Sequence, residues 1–204
     1  MSEGIGVGHA LPIGGEGRQS VGWWGVMCLI ATEGALFAYL LFAYFYAAVN
    51  ADTPWPPSGP PDLKIASLNT VILISTSGTL WLSEHDLERN RIRRSRLWLL
   101  ATIVLGVIFV SLQLVEWSNK DFTPTSHTYG SLFFIITGTH LAHVCVGIVA
   151  LAFMLVWTLL HYFDAERHNV FTVGALYWHF VDVVWLFIFS SLYLLPNLGL
   201  THGG

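Results

Sequence analysis

Five stretches of this chain stay apolar long enough to cross a bilayer as a helix, which takes about 20 residues. They cover residues 21–49, 65–83, 97–115, 130–162 and 170–195. Each run is continuous rather than alternating over about 10 residues, so helices are predicted and not the strands of a barrel. Between the runs the pattern turns polar. Five prolines at 54, 56, 57, 60 and 61 exclude a helix interior there. Residues 84–96, 119–128 and 164–169 read as polar loops. The predicted fold is all-α, an integral membrane bundle of five transmembrane helices over residues 21–196. A flexible tail at 1–20 precedes it and a short tail at 197–204 follows.

Composition agrees with a lipid solvent: 54% of residues are hydrophobic and 11% charged, with a mean hydropathy of +0.60. Soluble domains carry about 25% charged residues. The net charge is −4 and no basic or acidic tract is long enough to suggest a nucleic-acid partner. Residues 1–17 hold six glycines and no apolar core, so no cleavable signal is expected. Cys28 and Cys145 lie inside apolar runs without metal-ligand spacing and read as small buried hydrophobes.

The basic residues orient the bundle. Arg18, Arg89, Arg91, Arg93, Arg94, Arg96 and Arg167 fall on one side and Lys64 and Lys120 on the other. The positive-inside rule then places the N-terminus inside and the C-terminus outside.

An ionisable group in hydrocarbon costs about 2.5–3.5 kcal/mol on the insertion scale, so each one needs a partner or a purpose. Glu33 lies about 17 Å along the first helix from Gly22, near mid-membrane. It reads either as a hydrogen-bonded carboxyl facing a neighbouring helix or as a proton-linked group. Gly34 and Ala38 beside it form a small-xxx-small pair that would allow close helix approach. His140 and His143 share a face of the fourth helix. They could offer two metal ligands, but a catalytic zinc takes three protein ligands and no third is adjacent. His179 and Asp182 are placed to hydrogen-bond along the fifth helix. Gln113 and Glu116 pair at the end of the third, where an interfacial carboxylate can stay solvated. The preferred reading is that these groups tie helices together, with no metal site. Trp178, Asp182, Trp185 and Phe189 form a stripe that reads as packing.

The run Trp178-His179-Phe180-Val181-Asp182-Val183-Val184-Trp185 resembles the signature of cytochrome c oxidase subunit III. Further matches follow the family's order. They are Glu33, Trp55-Pro56-Pro57, Leu68-Asn69-Thr70, Gln113 with Glu116, and Tyr129-Gly130-Ser131 through Gly138, His140 and His143. Together they cover about residues 22–195. Trp117 stands where the family usually has Tyr, and Leu141 and Ala142 where Gly and Leu are usual.

The resemblance implies a non-redox subunit III of a proton-pumping haem–copper terminal oxidase in aerobic respiration, with haems and copper in partner subunits I and II. Such a chain is itself non-catalytic. It supports the stability of the catalytic subunit, proton uptake and lipid or oxygen access, and Glu33 corresponds to the family's carbodiimide-reactive glutamate. The expected location is the bacterial cell membrane rather than the mitochondrial one. Phospholipid is the expected bound molecule, with Glu33, Trp55 and His179 as candidate contacts. Common members have seven helices and this chain matches the last five. A small further subunit or extra subunit I helices are therefore expected on the first-helix flank, and a respiratory supercomplex would accommodate the whole. The alternatives are a quinol oxidase or nitric-oxide-reductase-type subunit, a small proton channel using Glu33, His143 and Asp182, and a membrane haem protein using His143 and His179.

Overall fold

The computed structural model describes residues 21–52, 54–57, 59–160 and 169–199; the predicted tail at 1–20, Arg18, Arg167 and the end of the fourth run at Tyr162 lie outside them. Five helices long and apolar enough to cross a membrane follow one another: α1 (Val21–Val49), α2 (Leu63–Glu88), α3 (Ile92–Ser118), α4 (Thr128–Leu159) and α5 (Asn169–Phe189). A π-helical turn, Ser190–Leu194, and a last short turn, Leu195–Asn197, extend α5. Helices α2, α3, α4 and α5 pack in a ring, each against the next, and α1 lies outside the ring against α4 and α5. Accordingly α5 is the most enclosed helix and α1 the least.

The buried faces recur every seven residues. They carry Ala66, Leu73, Leu80 and Leu87 with Asn69, Thr76 and Ser83 on α2, and Ser95, Thr102, Phe109 and Glu116 with Leu99, Gly106 and Gln113 on α3. Phe133, His140, Gly147 and Met154 form the corresponding row on α4, and Phe171, Trp178, Trp185 and Leu192 continue it on α5 and the π turn. A seven-residue repeat holds one seam against its neighbour and underlies the shallow left-handed packing of most membrane bundles. Many seam residues are small, hydroxylated or amide-bearing, because apolar contact alone gives no drive for helix association in lipid.

The α2–α3 connection is shorter than the polar stretch at 84–96 suggests. Helix α2 runs on to Glu88 and α3 begins at Ile92, leaving three residues between them. Asn90 sits in the left-handed region (φ 57°), with its N–H bonded to the Leu87 carbonyl (2.9 Å) and the Arg91 N–H to that of Asp86 (2.8 Å). This is a Schellman ending, in which Asn replaces the usual glycine. The polar residues at 84–88 and 92–96 are helical ends extending past the apolar span. Ser83 donates to the Ser95 carbonyl at 2.8 Å, and the Thr79 and Thr102 hydroxyls meet at 2.8 Å, zipping the hairpin together.

Cys28 and Cys145 are both on the outer surface, not buried as expected from their apolar runs. In lipid an apolar run has apolar neighbours on every side, so hydropathy does not say which side faces protein.

Candidate functional site

The interior polar groups gather in three places. The first is the α2–α5 seam. The Trp178 indole N–H donates to the Thr76 hydroxyl at 2.9 Å, and the Trp185 indole N–H to the Thr70 hydroxyl at 3.0 Å. Each threonine passes its own hydroxyl proton back to α2, Thr76 to the Leu73 carbonyl (2.6 Å) and Thr70 to that of Ala66 (2.8 Å). Between the two tryptophans, Ser77 donates to Asp182 Oδ2 and lies 3.0 Å from His179 Nδ1. A serine hydroxyl has one proton; with it given to Asp182, the His179 ring donates to Ser77 from Nδ1. His179 and Asp182 are therefore joined through α2 and not directly, as their spacing had suggested.

Trp178 also fixes the helix spacing. A Cβ added at Gly147 on α4 would stand 2.8 Å from the indole, and one at Gly106 on α3 3.1 Å. One α5 side chain thus fills hollows in two helices and bonds to a third.

The second cluster sits where α3 meets the end of α5. Gln113 Nε2 donates to Glu116 Oε2 at 3.3 Å, and the Tyr193 hydroxyl to Glu116 Oε1 at 2.8 Å. Lys120 Nζ approaches the same carboxylate at 3.0 Å and lies 5.1 Å from the Phe133 ring centroid. Glu116 is 3% exposed, which overturns its expected solvation. The helix carries Lys120 one turn beyond it, so the carboxylate is neutralised by a cation and two donors where water was anticipated.

The third is the α1–α4 contact. Glu33 Oε2 lies 3.0 Å from His143 Nε2, and His143 Nδ1 lies 2.7 Å from the Thr139 carbonyl. A carbonyl only accepts, so Nδ1 carries a proton. The Nε2–Oε2 contact then holds one further proton, on the imidazole of an ion pair or on a neutral carboxyl. His140, a turn earlier on α4, is enclosed by Phe37, Phe109 and Trp185, and neither ring nitrogen has a hydrogen-bond partner among the described residues. The two histidines serve different neighbours and do not converge. Gly34 and Ala38 do not draw a helix of this chain into close approach: a Cβ at Gly34 would meet Phe180 at an ordinary 3.8 Å, and Ala38 is exposed. Trp55 is 5% exposed and packs on Tyr44 and Tyr129.

Of the predicted residues, the structure joins Trp178, His179, Asp182 and Trp185 in one seam, and places Glu116, His140 and the Glu33–His143 pair elsewhere. Thr70 stood in the Leu68-Asn69-Thr70 match without an assigned partner. Unanticipated were Thr76 and Ser77 in the charge-free stretch of α2, and Lys120 and Tyr193 at the Glu116 carboxylate. Lys120 stands four residues beyond Glu116, the spacing of an ion pair along one helix face. Among the described residues, no three of His, Cys, Asp and Glu come together in a way that would hold a metal ion.

Five membrane-crossing helices, bonded to one another through interior threonines, tryptophans and carboxylates, define a multi-pass membrane bundle. The sequence model of the family described as cytochrome c oxidase subunit III matches residues 17–196. Among the relatives, cytochrome c oxidase subunit 3 of Scyliorhinus canicula is 36% identical over 95% of this chain and 75% of its own length. The protein of the same name from Pan troglodytes is 35% identical over the same shares. That of Neurospora crassa is 37% identical over 83% of this chain and 65% of its own. The chain belongs to the cytochrome c oxidase subunit III family, and so to a multi-subunit haem–copper oxidase of the membrane.

Proposed function

We propose that this chain is the non-redox subunit of its oxidase, a helical brace for the catalytic subunit that leaves electron transfer to haem and copper held by subunits I and II. The observation that carries this reading is how the interior side chains are used. Trp178, Trp185, Asp182 and Glu116 each bond to another helix of this chain, so these interior polar side chains are used to hold the bundle together. The single proton shared by Glu33 and His143 supports a supplementary part in proton uptake at the edge of the bundle. Phospholipid against Glu33 and His179, and an N-terminus on the inner side, complete the proposal; the latter rests on seven arginines facing two lysines.

The test is metal analysis and a visible spectrum of the purified chain beside turnover of the oxidase with and without it. The expected result is no stoichiometric haem or copper on the chain, and an oxidase that without it keeps its haem spectrum but inactivates sooner during turnover. Haem or copper retained by the chain alone would overturn the reading.

A further inference from the structure

A groove of about 560 Å³ opens between the ends of α2 and α3, away from the three polar clusters. Its walls change character along their length. At one end stand Arg89, Arg91 and Arg94, and at the other Leu97, Trp98 and Ala101. From Arg91 to Ala101 the rise along α3 is about 15 Å, the distance from a membrane surface into the upper acyl region.

The charge is unbalanced. Asp86 is the carboxylate lining the groove; it lies 3.7 Å from Arg91 and is 8% exposed. Arg89 and Arg94 are exposed and make no ion pair among the described residues. Arginines that serve to orient a membrane chain need no cavity and no particular neighbours. Here three of them line one cavity, and the Schellman turn at Asn90 fixes the backbone that carries two of them. Guanidinium groups bind phosphate through paired N–H donors, and basic pockets between transmembrane helices select anionic head groups. A free phosphate would fill the charged end and leave Leu97 and Trp98 unused, whereas a phospholipid carries the same gradation of charge and hydrocarbon as the groove.

We propose that the α2–α3 groove is a binding site for one anionic phospholipid, its phosphate held by Arg89 and Arg94 with Arg91 beside them, and an acyl chain lying along Leu97, Trp98 and Ala101. This site is separate from any lipid at Glu33 or His179, which lie on other helices, and does not depend on how the subunit serves the oxidase.

The experiment uses the whole oxidase, purified in mild detergent, with retained phospholipids counted per complex by head-group class through mass spectrometry. Arg89→Gln/Arg94→Gln removes the two unpaired charges, and Ala101→Trp fills the apolar end with every arginine in place. Both variants are expected to lose about one anionic phospholipid per complex while zwitterionic lipid and subunit content stay unchanged. An unchanged anionic count in the double variant overturns the site. So does loss in the double variant with full retention in Ala101→Trp, which is the pattern of a bound inorganic anion. Loss of another subunit in place of lipid also overturns it, since the arginines would then hold an acidic protein segment. Where a substituted complex does not assemble, the wild-type complex in phosphatidylglycerol nanodiscs decides the matter. Photoreactive phosphatidylglycerol should crosslink within residues 97–101, and labelling confined to other segments overturns the proposal.

Discussion

Gly147→Ala is the sharpest perturbation of the bundle. The added methyl would stand 2.8 Å from Trp178 Cε3 and 2.9 Å from Cζ3, where ordinary contact begins at 3.4 Å, so the indole must retreat by about 0.6 Å. It has little room to do so. Gly106 of α3 lies against the far end of the ring, where a Cβ would be at 3.1 Å, and the indole N–H is held 2.9 Å from Thr76. Overpacking of this kind costs about 1–3 kcal/mol, and stretching the Trp178–Thr76 bond adds about 0.5–1.5 kcal/mol. Against this, alanine in place of glycine gains about 0.4–1 kcal/mol through the unfolded state, so destabilisation wins. The assay is dissociation of the chain from the purified oxidase across a detergent or temperature series. Gly147→Ala should shift the midpoint down. Trp178→Phe, which lacks the second ring, removes the clash, so the double variant should be less damaged than the two single effects added together. A midpoint unmoved by Gly147→Ala, or strict additivity in the double variant, would refute the view that Trp178 sets the helix spacing.

At the α1–α4 contact, Glu33→Gln should leave assembly intact because an amide still donates to His143 Nε2, while Glu33→Ala strands that nitrogen at a cost of about 1–3 kcal/mol; equal detergent stability of the two would remove the link. Lys120→Met leaves the buried Glu116 carboxylate without its cation and should cost about 3–5 kcal/mol. Adding Glu116→Gln to it should recover most of the loss in the same melting assay. Trp185→Phe gives up one donor to Thr70 and should cost about 0.5–1.5 kcal/mol, read as a small fall in dissociation temperature.

The five spans were legible because the bilayer imposes a minimum apolar length, which composition reports directly. The inside of the bundle was not legible in the same way. Leucine and valine face lipid as readily as protein here, and Cys28 and Cys145 point outward from runs that look like core. What marks the seams is the seven-residue recurrence of small, hydroxyl, amide and aromatic residues, such as Asn69, Thr76 and Ser83, against a uniformly apolar background. The motif residues of α5 were visible because tryptophan, histidine and aspartate are rare in lipid. Their pairing with hydroxyls on α2 was not, since a threonine in a membrane helix commonly bonds its own backbone. The polar stretch at 84–96 read as a loop because its charges ended the apolar run, whereas the left-handed backbone at Asn90 reverses the chain within three residues and leaves most of the stretch helical.

The polar bonds of α2 to α5 and α3 make a braced core, and α1 joins it at mid-helix through Glu33 and His143. That pair is neutral overall in either of its forms, so moving the shared proton between the two groups places no net charge in the membrane. Gaining or losing a proton does, at about 2.5–3.5 kcal/mol if the charge faces hydrocarbon. The side chains are 25% and 17% exposed, so the charge would be felt at the surface of α1. A purely structural pair therefore tolerates bare lipid along α1, while a proton-carrying pair requires a polar neighbour there, from a partner subunit or water. Glu33→Gln separates the two roles, because the amide keeps the link to His143 but cannot release its protons. Slowed proton uptake in an otherwise stable oxidase would identify the pair as a carrier, and unchanged uptake would leave it a helix tie.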